Sequence, residues 1–453
     1  MFKKTLLLSS TIAAIAMMPA SLATAADEDA RIQALEAQMS VMLEEIQRLK
    51  TERTTEQEQQ AALNQEIRTL QETTQAKLAA VEPAAGGNIG DIRELRKGDF
   101  SLKPFGRIQL DAASFDDDAS DNPDGAEFRR LRLGVKGDLP GDFGYKVQIG
   151  FDGDNTDIED AYISYNGIKN TKFTLGNHKP AYGLEEHSSS NDITFLERAS
   201  ANDAFFDGRA IGFSGTTYGE QWRVNAGVFN DDPGTNSSDD EAISVNARVT
   251  GLPIKTDQGL LHVGSFIDYR SPDRANNSFN FDANAENSIQ TNDTVSVTVN
   301  NADSATVYGF EAAAIWGPLS LQGEYFTVDV DTDIGPDPSF DSAYVQGSWI
   351  VTGESRPYKT SKGVFGRPKP NNPFDPSNGD WGAVELAARY STLDLNDEGF
   401  NGGELDTVTL GANWYLNNYL RFSGNYIFSD SDENAVVPND DPEIFLVRAQ
   451  AAF

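Results

Sequence analysis

Two periods of apolar and polar residues run along this chain, and they change over near residue 99. Beyond that point the period is two. The stretch EFRRLRLGVKGDL (Glu127–Leu139) puts Leu131, Leu133 and Val135 on one parity and Arg130, Arg132 and Lys136 on the other. FSLKPFGRIQLDA sets Leu102, Ile108 and Leu110 against Lys103, Arg107 and Gln109, and YKVQIGFD sets Tyr145, Val147, Ile149 and Phe151 against Lys146 and Gln148. WRVNAGVF, LRFSGNYIF and the last stretch, EIFLVRAQAAF, alternate in the same way. Arg223, Arg421 and Arg448 lie on their polar parity, and Phe453 closes the apolar one. Successive side chains of a strand point to opposite faces, so each stretch predicts a strand with one apolar and one basic or amide face.

About sixteen such segments follow one another, each near the ~9–11 residues that a tilted membrane strand needs. They begin near residues 100, 127, 143, 158, 170, 208, 220, 242, 259, 306, 318, 340, 381, 404, 418 and 443. Tight links such as Asp138–Asp142, Asn166–Asn170 and Gly317–Pro318 contrast with long acidic or Asn-rich ones such as Ser271–Ala305. Short turns at one end and long loops at the other are the layout of an outer-membrane barrel, and an even count returns both termini to the periplasmic side. A soluble β-sandwich also alternates, but it has no use for a terminal aromatic. Nor does it explain aromatic residues near strand ends, as in Trp316, Tyr325, Trp414 and Tyr415, which fit interfacial girdles. The expected fold class is all-β: a 16-stranded antiparallel transmembrane β-barrel over residues 99–453, preceded by an N-terminal α-helical coiled coil.

Ahead of residue 99 the pattern differs. MFKK, an apolar run and SLATAA predict an export signal over residues 1–25. Ile32, Leu35, Met39, Met42, Ile46 and Leu49 then alternate spacings of three and four, and the register returns at Leu63, Ile67 and Leu70. This a/d seam predicts a periplasmic coiled coil within residues 26–82, able to self-associate and to contact the cell wall. PAAGGNIG opens a linker over residues 83–98.

Composition narrows the function. A formal charge of −34 argues against nucleic acid as partner, and the absence of cysteine removes disulfides and thiolate chemistry. There are three histidines and no Gly-x-Ser-x-Gly elbow, so no catalytic residues are expected and a channel is favoured over an enzyme. No cofactor is expected. The acidic runs DDDASDNPDG and NDDPGTNSSDDE fall in external loops where carboxylates could hold Ca²⁺ or Mg²⁺, although their spacing matches no defined calcium loop.

EFRRLRLGVKGDLPGDFGYKVQIGFD, FTLGNHKPAYGLEEHSSSNDITFLERA, DGRAIGFSG, GSWIVTGESRPY and GAVELAARYSTLDL together resemble the phosphate-selective porin O/P family over about residues 91–453. The resemblance implies a homotrimeric outer-membrane porin that prefers anions such as phosphate, set among outer-membrane lipids; the alternative is a general, weakly selective porin that also tethers the outer membrane to the cell wall through the coiled coil. It also implies that Lys179–Asp207 folds inward to narrow the pore and that the turn Thr352–Asp380 enters the lumen. The family's constriction lysine beside a serine pair is replaced here by Glu185, Glu186 and His187 ahead of Ser188 and Ser189. Those glutamates repel an anion unless they turn to the wall and pair with arginines. His187 offers a charge that titrates near neutrality. An anion entering a narrow pore needs fixed cations and donors to replace its water. The expected pore-lining residues are therefore Arg107, Arg129, Arg130, Arg132, Lys146, His187, Ser188, Ser189, Arg198, Arg209, Arg223, Lys359 and Lys362, with Arg129 off the parity of its strand.

Overall fold

A computed structural model describes residues 94–453 apart from 117–118, 152–155, 207, 231–241, 273–276 and 291, together with isolated positions between 39 and 69. The chain divides into two compact units, Met1–Asp91 and Ile92–Phe453. The export signal, the coiled-coil seam apart from Met39, most of the linker, residues 117–118 of the first acidic run and nearly all of the second lie outside the described residues. The isolated positions are helical, and the hydroxyls of Thr51 and Thr69 donate to the carbonyls of Gln47 and Gln65 at 2.9 Å.

The second unit is built from strands β1 (Leu95–Lys97), β2 (Phe100–Asp116), β3 (Gly125–Leu139), β4 (Phe143–Gly150), β5 (Asp157–Tyr165), β6 (Thr171–His178), β7 (Ala210–Tyr218), β8 (Trp222–Phe229), β9 (Ser244–Lys255) and β10 (Gly259–Arg270). It continues with β11 (Ser278–Ala283), β12 (Val295–Asn300), β13 (Ala302–Trp316), β14 (Leu319–Thr332), β15 (Ser339–Ile350), β16 (Tyr358–Lys359), β17 (Val364–Phe365), β18 (Ala383–Asp397), β19 (Phe400–Tyr415), β20 (Leu420–Ser431) and β21 (Glu443–Ala452). Seventeen strands share one antiparallel sheet, of which β1 is only a short hairpin partner of β2; β11–β12 and β16–β17 form separate hairpins. The remaining sixteen close on themselves where β2 pairs β21, from Arg107↔Ala452 to Asp116↔Glu443. Closure removes the sheet edges, the condition for a strand structure in lipid. Every barrel strand starts within four residues of the place the alternation predicts.

The apolar parity faces outward along the whole wall. Ile108, Leu133, Ile149, Val224, Leu321, Leu410, Phe422 and Phe445 are all exposed, as a lipid-facing belt requires. Trp316 and Trp349 stand exposed next to the short-turn ends of β13 and β15, at the level of an aromatic girdle. Tyr415 corrects the expectation made for it. It is fully buried and points inward, its hydroxyl donating to Glu385 at 2.7 Å.

The inward parity is not uniformly wet. Near the long-loop end, Phe266, Val328, Phe340, Leu393, Leu405, Ile427, Ile444 and Leu446 face inward and pack into one apolar cluster with Phe281, Val295, Val297 and Val299 of the β11–β12 hairpin. The long loop Ser271–Asn301 thus lays a hairpin against the inner wall, where β12 runs beside β19. Those inner positions are apolar because they meet protein, and burying them anchors the loop.

Candidate functional site

The loop between β6 and β7 crosses the interior. It carries two short helices, α1 (Leu184–His187) and α2 (Ala201–Phe205), and nearly all of its side chains are buried. Its attachment runs around the barrel. Glu324 of β14 accepts the Leu184 and Glu185 amides at 2.5 and 2.8 Å, filling the donors that a helix start leaves open. Asn413 of β19, Arg421 of β20 and Arg448 of β21 donate to the carbonyls of Thr194, Ile193 and Leu196 at 2.8, 2.8 and 2.6 Å. Asn246 of β9 accepts the Ala181 amide at 3.1 Å.

Glu197 is the main tie, and the sequence reading did not single it out. Its carboxylate receives Arg129 (3.0 and 3.2 Å), Arg130 (3.1 and 3.1 Å) and Arg448 (2.6 Å). Both arginines of β3 reach it because the strand bulges there. The register passes from Gln109↔Arg130 to Leu110↔Phe128, leaving Arg129 as the extra residue. Arg129 is therefore turned inward beside Arg130. Burial raises the pKa of the Glu197 carboxyl, but Arg129, Arg130 and Arg448 outweigh it and hold the group well below the usual carboxylate range.

The two glutamates that replace the expected lysine are also paired to the wall. Glu185 accepts the Ala199 amide at 3.0 Å and lies 3.4 Å from Arg389, which also binds Glu286 of the long loop. Glu186 pairs with Lys179 and, at 3.1 Å, with Arg198. Burial raises the Glu186 pKa and the charges of Arg198 and Lys179 more than reverse it, so the net direction is down.

The predicted pore residues therefore sort by partner. Arg107 is buried against the Ser190 hydroxyl, Arg132 and Arg209 converge on Glu159, and Lys146 holds Asp160 at 2.6 Å. Lys359 binds Asp192 at 2.6 Å, and the Ser188 hydroxyl donates to Leu184 O at 2.7 Å, while Ser189 is exposed. Arg107, Arg130, Arg223, Arg389, Arg421 and Arg448 are each less than a tenth exposed. An open wet stair of arginines is thus replaced by arginines that clamp the inward loop. His187 is corrected as well. Enclosure first, then the charges of Arg223 and Arg248, hold its imidazole well below the ordinary histidine value, so it stays neutral.

Toward the short-turn end lies a group of lysines, of which Lys103 pairs with Glu94 at 2.9 Å and Lys146 with Asp160. Lys103, Lys136 and Lys146 stand directly opposite one another on β2, β3 and β4, and Arg107 stands opposite Arg132 four residues further along. Lys136 and Lys146 both lie over the Phe105 ring, 5.0 and 5.1 Å from its centre. That ring covers Gly134, where a Cβ would come within 2.6 Å of it. The turn Val351–Gly382 enters the lumen: Val364 and Phe365 pack on Leu184, and Arg356 donates to Asp192 O at 3.1 Å. The same turn carries Lys362, which is exposed. Desolvation inside the barrel, and then the ammonium groups of Lys359 and Lys146, push Lys362 below the usual lysine range. Lys172 of β6 faces the same space and feels Lys362 and Lys146. Among the described residues, Lys136, Lys172 and Lys362 make no ion pair with a carboxylate. Lys172 was missed by sequence reading, although TKFTLGNH places it on the inward parity opposite Phe173 and Leu175.

Like charges directly opposite on a sheet are destabilising, so a wall of such rungs is retained against its own repulsion. Residues 103–453 match the family described as phosphate-selective porin O and P. The chain belongs to that family. It is an outer-membrane porin, a channel rather than an enzyme. It is 27% identical over 362 residues to an uncharacterized protein of Caulobacter vibrioides, covering 77% of this chain and 72% of that one. It is also 27% identical over 404 residues to Porin O of Pseudomonas aeruginosa, covering 78% of this chain and 89% of the relative. The porin's fold is similar to that of an anion-selective porin from Comamonas acidovorans, with a TM-score of 0.52, 16% identity, and coverage of 78% of this chain and 100% of the other. OmpT of Vibrio cholerae in its trimer form is similar at a TM-score of 0.51 and 12% identity, covering 78% of this chain and 99% of that one.

Proposed function

We propose that this porin is a passive channel for small anions, phosphate and other oxyanions among them, and that the free lysines of the short-turn half set its preference. The observation that carries the reading is that Lys136, Lys172 and Lys362 have no carboxylate partner among the described residues, while on the adjoining rungs Lys103, Lys146 and Arg132 are paired with Glu94, Asp160 and Glu159. A water-filled path beside such a wall concentrates anions and repels cations, and the low-dielectric barrel focuses that field. The constriction loop contributes shape more than charge, because Glu185, Glu186 and Glu197 are each occupied by wall or loop cations. The exposed Ser189 is a polar group it offers to a passing anion.

A homotrimer fits the uneven wall. Strands β4 to β8 have 8 or 9 residues, against 12 to 16 for β13 to β15 and β18 to β20. Eight residues at ~3.3 Å each, tilted by ~40°, rise only about 20 Å, less than the ~25 Å apolar band of an outer-membrane barrel. Neighbouring copies against this low wall would keep lipid from Leu175, Phe213 and Val228.

Single-channel currents with one ion at a time made bulky test the reading. Replacing chloride by gluconate abolishes most of the current, whereas replacing potassium by Tris leaves most of it. The reverse dependence overturns anion preference. Closure of one insertion in three equal steps supports the trimer.

A further inference from the structure

The lipid-facing side of the barrel is uneven. Four of the five tryptophans, Trp316, Trp349, Trp381 and Trp414, gather at the short-turn end of one sector, β13 to β19, which therefore holds the heaviest part of the aromatic girdle. There the register sets Trp316, Leu319, Trp349 and Leu386 side by side on β13, β14, β15 and β18, all of them exposed. The next outward rung reads Ala314, Leu321, Gly347 and Ala388, and the small row continues with Ala312 opposite Gly323. Large side chains thus stand over small ones. A groove of about 580 Å³ opens between them on the outside of the wall, lined by residues of all four strands.

Gly347 at the floor of this groove is not required by the packing of the barrel. A Cβ built there would meet nothing closer than Ser320 O at 3.8 Å and Leu321 Cδ1 at 3.9 Å, which is ordinary contact. Glycine inside a strand costs stability and often marks the close approach of a ligand. The groove is continuous with the apolar belt, and a recess left empty there would forfeit the contacts of the atoms around it. Its level follows from the topology: the short turns are periplasmic, so it opens on the periplasmic leaflet, whose lipids are phospholipids. Trp414 spends its indole N–H on Trp381 O at 2.7 Å, whereas Trp316 and Trp349 have no acceptor among the described residues. An indole can only donate, and at this depth the acceptors are ester and phosphate oxygens. A second copy of the chain fits the groove less well, because the low wall β4 to β8 lies nearly across the barrel. From β6 to β15 is seven steps around a circuit of sixteen strands.

We propose that this groove is a binding site for one phospholipid of the periplasmic leaflet, with an acyl chain laid along Ala314, Gly347 and Ala388 and the ester group held by the indoles of Trp316 and Trp349. The site is independent of what the pore conducts. No hydrophobic gain separates it from the surrounding lipid, so its hold comes from close packing against the small residues and from the two indole donors. A lipid seated there exchanges more slowly than its neighbours and fixes the height of the tall wall in the bilayer.

The test uses the full chain. The porin is reconstituted in bilayers of phosphatidylethanolamine and phosphatidylglycerol, moved into detergent and weighed intact by native mass spectrometry. The wild type should retain one phospholipid per protomer. In Gly347→Leu, whose side chain fills the groove from the outside, the retained fraction should fall about tenfold, as loss of the chain's packing and of the indole bonds implies. The double variant Trp316→Phe, Trp349→Phe keeps the apolar rim and loses only the donors, so it should retain an intermediate fraction. Migration of the unheated barrel on a gel, unchanged in Gly347→Leu, shows that the wall is intact. A wild type that keeps no phospholipid overturns the proposal without recourse to any variant. Equal retention by wild type and Gly347→Leu overturns it by placing the lipid elsewhere. A change of oligomeric mass in Gly347→Leu also overturns it, by making the groove a contact between copies.

Discussion

Glu197→Gln removes the one carboxylate on which Arg129, Arg130 and Arg448 converge. The side chain is almost fully buried, and three guanidinium groups lie within 3.2 Å of it. Glutamine keeps an acceptor oxygen but leaves the cluster with unbalanced positive charge. Removing one partner of a buried charge pair costs about 3–5 kcal/mol. Arg448 retains Asp111 at 2.6 Å, which moderates the loss, so the lower end, about 3 kcal/mol, is the expectation for this network. At ~1.4 kcal/mol per factor of ten, that weakens the hold on the middle of the loop by about a hundredfold. The loop keeps its other anchors, so the barrel should assemble while its current becomes noisier and its mean conductance rises. Single-channel recording reads both, and the midpoint of heat-induced unfolding on a gel falls in parallel. A double-mutant cycle with Arg130→Gln should show strong coupling, since the second change removes part of the excess charge. If Glu197→Gln leaves noise, conductance and midpoint unchanged, the three-arginine clamp does not hold the loop.

Further outcomes follow from the same geometry. The folded-state pKa of Glu197 is depressed, so the stability it contributes is present above the unfolded value, ~4.3, and is lost only as pH falls through the lower folded value. Conductance noise should stay flat from pH 7 to about 5 and rise only in stronger acid; a rise centred near pH 6 would contradict this. His187 stays neutral, so the reversal potential should not change between pH 8 and 5.5 on its account, and His187→Ala should leave its pH dependence as it is. Lys136→Gln, Lys172→Gln and Lys362→Gln combined remove three lumen charges. At ~8 Å through water each is worth about 0.5 kcal/mol, so the anion-over-cation permeability ratio should fall about tenfold. Val299→Asp places a charge in the fully buried seam of the β11–β12 hairpin and should release the external loop, seen as new protease cleavage within residues 271–301 of intact cells.

Much of this architecture was legible because lipid imposes one rule on the outer face of every strand. The parity of Leu131, Leu133 and Val135, or of Phe445, Val447 and Phe453, had a single physical reading, and it located each strand. The inner face obeys no such rule. Ile444 and Leu446 share their parity with Arg448, and only the hairpin lying against them explains why two are apolar and one is charged. Arg129 could not be assigned to a face from alternation, because a bulge shifts the count by one. Tyr415 looked like a girdle residue from its place at a strand end, but its parity turned it inward to Glu385. The roles of the arginines were hidden for the same reason. Parity showed that they point inward, but their partners, Glu197, Glu186 and Glu286, arrive from loops far away in sequence. Lys172 was within reach of the pattern, and its neighbours Lys146 and Lys362 were read.

Under the proposed function, the lysines left without carboxylates make the lumen attractive to anions in a chain that carries a charge of −34 overall. The most direct measurement is the reversal potential of the purified porin in a planar bilayer under a tenfold gradient of potassium chloride at neutral pH. The account predicts a potential of the sign set by chloride, moving toward zero in the triple lysine variant. A potential of the sign set by potassium would contradict it.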